Sequence, residues 1–475
     1  MSATLSTRYP AAPFLARLAA AGSDLGRQLA GALDMPLRDY LGTLLPSAPA
    51  AGSANPHRRR FAATVTRWLG QRGVPDPEAA GDHLLHVPVM EAASHSNLLL
   101  DVETFLNTYL LHVAHREAGH RLMVVTQCST VSCMSRRAPV SGPLFLRTRG
   151  SLYQVFPFSK RLLKDSSFCA LPGPLEMRLD LLQGPGPYAD EDPVLRRLAG
   201  RTWRDAAEAY RVCNEEIWSQ LPLPGSLRRV ALDESAAADC VAEHLLDPAS
   251  PVRHLVFDPV LRAAFLAVKR ELVADRGNLA VNRAAPDHFW VRRGTRLQPV
   301  LVHEEAGGTA LLREAGGRAV PVPFEPEAVA AALRSGLLQA DRVLAYLVRC
   351  ILPGIVAVGG TSQQDYVRLY VRLLLETHRR VPFLDTADAA TAAAPGLSRL
   401  GGMPLVDMTG PAAQALSTLS PRSDLRAFER SVLDEPLGRT IGSLPSARYL
   451  EQALDRYEGK GGSPGERRED KEADE

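Results

Sequence analysis

With 475 residues, 45% of them hydrophobic, the chain is long enough to fill the cores of two or three domains. Its 55 basic and 53 acidic residues nearly cancel to a net charge of +2, which leaves no electrostatic footprint for nucleic acid. Six cysteines, none in CxxC spacing, favour a reducing, cytoplasmic compartment over a disulfide framework, and no apolar run reaches the roughly 18 residues that a membrane span needs.

The opening stretch, MSATLSTRYPAAPFLARLAAAG, has one early arginine and no apolar core before a cleavage site, so no signal peptide is expected. Residues 1–80 read as a helical region broken by the linker PSAPAAGSANP at 46–56. Within it, HRRR at His57 to Arg60 reads as a solvated helix start. Residues 81–160 run strand (HLLHVPVM), polar junction (EAASHSNLLLD), helix to about Ala118 and strand (Leu122 to Thr126), which is a βαβ unit. The stretch GPLFLRTRGSLYQVFPFS follows as a hairpin-like pair. Residues 161–288 read as a mostly helical insertion. Residues 289–325 have period-two apolar spacing and two Gly-Gly turns, the pattern of a small antiparallel sheet. Residues 326–458 begin with a helix at Pro326 and form the second half of the core, and the charged tail 459–475 is expected to be disordered. No internal repeat is read. The expected fold class is α/β, a Rossmann-like parallel-sheet core with an inserted helical region and a small antiparallel sheet.

Two junctions concentrate polar groups between a buried strand and a helix. In IVAVGGTSQQDY, Gly359 and Gly360 end the apolar run and permit a positive φ and a close backbone approach. The helix amides that follow, at Thr361, Ser362 and Gln363, favour anions, and ligands collect at such carboxyl ends in open α/β sheets. The plainer alternative is a strand–helix turn with Thr361 or Ser362 as N-cap. The second junction, Ser94-His95-Ser96-Asn97, has the same topology, and His95 suits acid/base work or a phosphate contact. Its alternative is an N-capping cluster with a satisfied histidine. The two junctions are expected at one edge of one sheet, facing a common cleft.

Other chemistries find less support. The motifs GxxxxGK[ST] and GxGxxG are absent. His112 and His115 share a helix, with His120, Cys128 and Cys133 beyond, but no HExxH occurs and zinc needs three or four converging ligands. No metal site is expected, and these histidines read as a partly exposed helix face.

From FWVRRGTRLQPVLVHEEAGGTALLREAGG through LPGIVAVGGTSQQDYVRLYVRLL, the chain resembles the bacillithiol synthase family. That family has a comparable small sheet, then a helix, then LLP-x-LAYVGGPGE-x-x-YW, and Pro353, Gly359, Gly360 and Tyr366 fall on its landmarks. A fainter likeness covers ASHSNLLLDVETFLNTYLL, where the family carries TGQQ-x-GL-x-x-GP. The chain departs from the family at Ser94 to Asn97, at TQCSTVSC, at Thr361-Ser362-Gln363, and in lacking a long C-terminal coiled coil. The resemblance implies a Rossmann-like core, loosely like that of class I aminoacyl-tRNA synthetases. It also implies a ligase or transferase that joins an amino acid, cysteine among the candidates, to an amine, sugar or activated acceptor, with ATP as candidate co-substrate. In that reading His95 and Asp365 are catalytic. Ser94, Ser96, Asn97, Gly359, Gly360, Thr361, Ser362, Gln363 and Tyr366 bind a small-molecule substrate. A homodimer or a pathway partner stays open, as does a non-catalytic scaffold that keeps the fold.

Overall fold

The computed structural model describes residues 11–46, 55–92, 97–127, 145–148, 151–156, 171–186, 193–225, 227–274, 286–305, 310–406, 416 and 424–441. Its centre is a five-stranded sheet of β1 (Val89–Glu91), β2 (Leu122–Thr126), β3 (Arg228–Leu232), β4 (Val356–Gly359) and β5 (Ser398–Leu400). Every neighbouring pair is parallel, and the spatial order β5-β4-β1-β2-β3 is the doubly wound order of Rossmann-like folds.

Period-two alternation explains why both faces are covered. Val89, Met123, Val125, Ala231, Val358 and Leu400 point into one core, with helices Val102–Glu117 and Ala206–Gln220. Met90, Leu122, Val124, Val230, Leu232 and Ala357 point into the other, with helices Pro56–Gly70, Glu234–Leu246, Pro259–Ala274 and Thr361–Arg380. Aspartates start many of these helices by accepting a backbone N–H: Asp101 from Thr104, Asp205 from Glu208, Asp233 from Ser235 and Asp341 from Leu344. Each such cap contributes about 1 kcal/mol.

Residues 161–288 hold more strand than the helical expectation. They supply β3 to the core sheet, together with strands Pro172–Glu176, Asp180–Gln183 and Thr202–Asp205. The run RRVAL is too short to be told from a helix by periodicity, and only its pairing with β2 settles it. The hairpin of Phe145–Thr148 and Ser151–Gln154 forms as expected. So does the small antiparallel sheet of Phe289–Arg293, Arg296–Glu304 and Ala310–Glu314, which Leu338–Ala340 extends. The first Gly-Gly turn and the tail 459–475 lie outside the described residues.

The structure also corrects the expectation of no repeat. Leu33-Asp34-Met35-Pro36-Leu37 recurs as Leu433-Asp434-Glu435-Pro436-Leu437, each counterpart 400 positions on, and Asp24-Leu25 recurs as Asp424-Leu425. Both copies fold as helix, proline turn and second helix: Asp24–Ala30 then Leu37–Gly42, and Leu425–Val432 then Leu437–Thr440. Pro36 and Pro436 share the same conformation, φ −53° ψ 143° and φ −56° ψ 138°. They face each other in an antiparallel bridge. The N–H of Leu37 donates to Glu435 O at 2.9 Å, and that of Leu437 donates to Met35 O at 2.8 Å. Arg38 donates to Leu433 O at 2.9 Å, and Gly438 to Leu33 O at 2.8 Å. Such reciprocity is a local two-fold axis inside one chain. Spacing this long escapes a search for repeats of 20–50 residues.

Candidate functional site

The crevice between β1 and β4 is where the chain departs to opposite faces. Val89 pairs with Val356 and Glu91 with Val358, and the N–H of Ala92 donates to Val358 O at 3.0 Å. The helix after β1 lies in one core and the helix after β4 in the other, so the carboxyl ends of two adjacent strands open onto a topological switch point. The second junction follows β4 at this edge, beside Ala92, the last described residue before the first junction. Ser94, His95 and Ser96 lie outside the described residues.

Asn97 resumes the chain. Its carbonyl accepts from Asn214 Nδ2 at 2.8 Å, and Asn214 Oδ1 accepts the N–H of Leu99 at 2.8 Å, so a buried side chain fixes the loop's return. Asn97 Oδ1 is buried and has no partner among the described residues.

At the second junction Gly360 is the residue before the helix, with φ −72° and ψ 177°. This is ordinary extended backbone, so the expected left-handed glycine is absent there, and a Cβ at Gly360 would meet nothing within 4 Å. The N-cap is Gly360 itself, with no side-chain cap bond, so neither Thr361 nor Ser362 caps the helix. Glycine is required instead after β5: Gly402 has φ +81°, and a Cβ there would stand 1.9 Å from Asn107 Oδ1.

Gly359 closes β4, and its carbonyl accepts from Gly401 at 2.9 Å. Thr361 is buried, and the side chain of Ser362 lies outside the described residues. Gln363 is buried with neither amide atom partnered among the described residues, and Gln364 Nε2 is in the same state. Asp365 is half-buried and already engaged. Tyr346 Oη donates to Ala92 O at 2.8 Å and stands 3.0 Å from Tyr366 Oη, so Tyr366 must be the donor in that pair. Tyr346 thereby bolts the first junction to the second. It ends helix Arg342–Tyr346, immediately before a π-helical turn at Leu347–Ile351, a distortion frequent at functional sites. Arg342 lies over the Tyr366 ring at 5.3 Å. Sequence reasoning missed Tyr346 and Gln364. Tyr346 sits directly before the π turn, and nothing in the spacing announces either.

Beneath the crevice, Glu91 is fully buried. The Thr108 hydroxyl donates to its Oε2 at 2.8 Å and that of Thr126 to its backbone carbonyl at 3.0 Å, while Oε1 has no partner among the described residues. Burial pushes this carboxyl up to about 7, against the pull of the Thr108 bond and the Arg229 charge. Arg229 is buried too, and its three nitrogens find no hydrogen-bond partner among the described residues. Gln127, at the end of β2, is buried with both amide atoms unpartnered among the described residues, though its N–H donates to Leu232 O at 2.7 Å.

His112 and His115 are not a partly exposed face. Both are fully buried, because helix Val102–Glu117 is packed between the sheet and neighbouring segments rather than lying on the surface. His112 Nε2 stands 3.1 Å from Pro224 O. His115 Nδ1 is 3.0 Å from His120 Nδ1, and His83 closes the group with ring centroids at 5.2 and 5.6 Å from those of His115 and His120. Burial holds His83 down to about 4, His115 well below its ordinary value and His120 lowered. Cys128 and Cys133 lie outside the described residues, and among those described no set of three or more histidine, cysteine or acidic side chains is placed to hold a metal ion. No described helix is long and apolar enough to cross a membrane.

No family model matches the chain, and neither does any curated protein or solved structure.

Proposed function

We propose that the chain is an enzyme that binds a small polar substrate in the crevice between β1 and β4. Its chemistry would be of the bacillithiol-synthase kind, joining an amino acid, cysteine first among the candidates, to an amine, sugar or activated acceptor with ATP as co-substrate. One observation carries the reading. Asn97, Gln127, Gln363 and Gln364 bury polar atoms without partners among the described residues around the ends of adjacent strands at the switch point. Such atoms each cost the folded state about 1–3 kcal/mol unless something meets them, and a bound ligand does so. In this reading the carboxamides orient the substrate, the first-turn amides of helix Thr361–Arg380 receive its anionic group, and Asp365 takes an amino or hydroxyl group. His95 supplies acid/base chemistry, worth roughly 10²–10⁴-fold in rate.

The test measures binding of cysteine, glucosamine and ATP by titration calorimetry, and product from the intact pathway, for the parent, His95→Ala and Gln363→Leu. Binding that is lost in Gln363→Leu, with product lost in both variants and melting temperatures kept, supports the enzyme. Full product yield from His95→Ala would remove its catalytic role. A parent that binds none of the three ligands would leave the scaffold reading in its place.

A further inference from the structure

The two copies of the Leu-Asp-x-Pro-Leu unit bind each other as two identical subunits would. Each gives the other two backbone N–H groups and takes two in return, across Pro36 and Pro436. Leu25, Leu29, Leu37 and Leu41 of the first unit share one core with Leu425, Leu433, Leu437 and Ile441 of the second, all buried. Contacts of this kind follow the isologous pattern, and the first-against-second pairing seen here does not depend on which chain supplies either unit.

We propose that this clasp is a self-recognition module, through which two copies of the chain associate by exchanging their first units. The first unit joins the rest of the chain through PSAPAAGSANP, whose proline, alanine, glycine and serine composition is that of a linker. Its other polar anchors lie on the body of the protein. Tyr40 Oη donates to Leu400 O at 2.9 Å, and Arg38 pairs with Glu117 at 3.0 Å. The second unit is held to the same body, with Tyr109 and Arg116 both donating to Glu429, at 2.7 and 2.6 Å. An exchanged pair of chains therefore repeats every contact of the closed chain, and only the cost of bringing two molecules together separates the states. That cost makes exchange rise with protein concentration.

A Cβ at Gly438 would stand 3.5 Å from that of Leu33, within the separation a disulfide spans. Full-length L33C and G438C chains, neither able to form the 33–438 link within itself, are mixed, unfolded and refolded together under oxidising conditions. The double variant L33C/G438C is the internal control. The expected result is a covalent dimer whose 33–438 link is identified by peptide mass spectrometry and whose yield grows with concentration, while the dilute double variant closes as a monomer. The mirror pair R38C and L433C, across the same axis, repeats the test if either first variant folds poorly. A double variant that links only within itself, with no 33–438 dimer from the mixture, overturns exchange. A double variant that does not link at all overturns the clasp register itself.

Discussion

A buried carboxamide with nothing to bond weakens the fold, and this separates a binding residue from a packing residue. Gln363→Leu removes both atoms that lack a partner among the described residues and keeps the volume, so urea unfolding is expected to show a gain on the order of 1 kcal/mol while ligand binding disappears. A loss of stability would mean that Gln363 serves the fold. Gly360→Ala belongs beside it. With ordinary φ and open space, the added methyl is expected to leave the melting temperature unchanged, so any lost activity reports on the ligand. Glu91 makes a prediction in pH. Its carboxyl titrates at about 7 in the folded state against 4.5 ordinarily, so between those values the folded chain holds a proton that the unfolded chain has released. Its contribution is present below pH 4.5 and is lost as pH rises through 7. Relative to Glu91→Gln, the parent should lose stability on the order of 3 kcal/mol across that window and then level off. A difference flat in pH would place the group in water. None of this was legible at Glu91 from the sequence, where an acid ending an apolar run reads as the start of a loop. Burial comes from helix Val102–Glu117 lying across it, which no local spacing encodes.

Strands and the helices that follow them were legible where an apolar run ended in a sharp change of residue type. IVAV before two glycines, and LMVVT before a polar stretch, became β4 and β2 on that signal alone. The side of a helix that meets solvent was not, because it depends on which segments from elsewhere in the chain arrive to cover it. His115 is the example: its partner His83 belongs to helix Pro77–His86, and His120 to the turn entering β2. This junction of three elements predicts acid sensitivity. An ordinary histidine takes its proton near 6.5, His83 only near 4, and burial holds His115 well below the ordinary value. As pH falls through that interval the unfolded chain binds protons that the folded one refuses, so the histidine contribution is complete above 6.5 and lost towards 4. Glu91 acts in the opposite direction over an overlapping range, so a global measurement would blur the two. Hydrogen exchange in helix Pro77–His86 resolves them, with protection expected to fall between pH 6.5 and 4 in the parent and to fall less in His115→Phe, where His83 still resists its proton. Equal loss in both proteins would assign the acid effect elsewhere.

At the scale of the whole molecule, segments 400 residues apart close the same core that backs one face of the sheet. Their likeness was present in the sequence as six identical positions, but a pattern so short and so widely spaced gains weight only when the copies are found touching. Because the first unit also holds the end of β5 through Tyr40, and the second holds helix Val102–Glu117 through Glu429, the clasp spans the sheet edge and its covering layer. It is therefore expected to unfold with the core rather than before it. Leu37 and Leu437 occupy equivalent positions beside the axis, both fully buried. Truncating either to alanine should cost a similar 2–5 kcal/mol. Since the two side chains share one core about the axis, the double variant should cost less than the sum, the cavity left by one having already loosened the other's surroundings. Urea unfolding followed by fluorescence and by far-ultraviolet circular dichroism tests both points. Coincident transitions with a sub-additive double variant mark one cooperative clasp. An early separate transition, with strictly additive costs, would mean that the two units dock independently and that the axis between them is incidental.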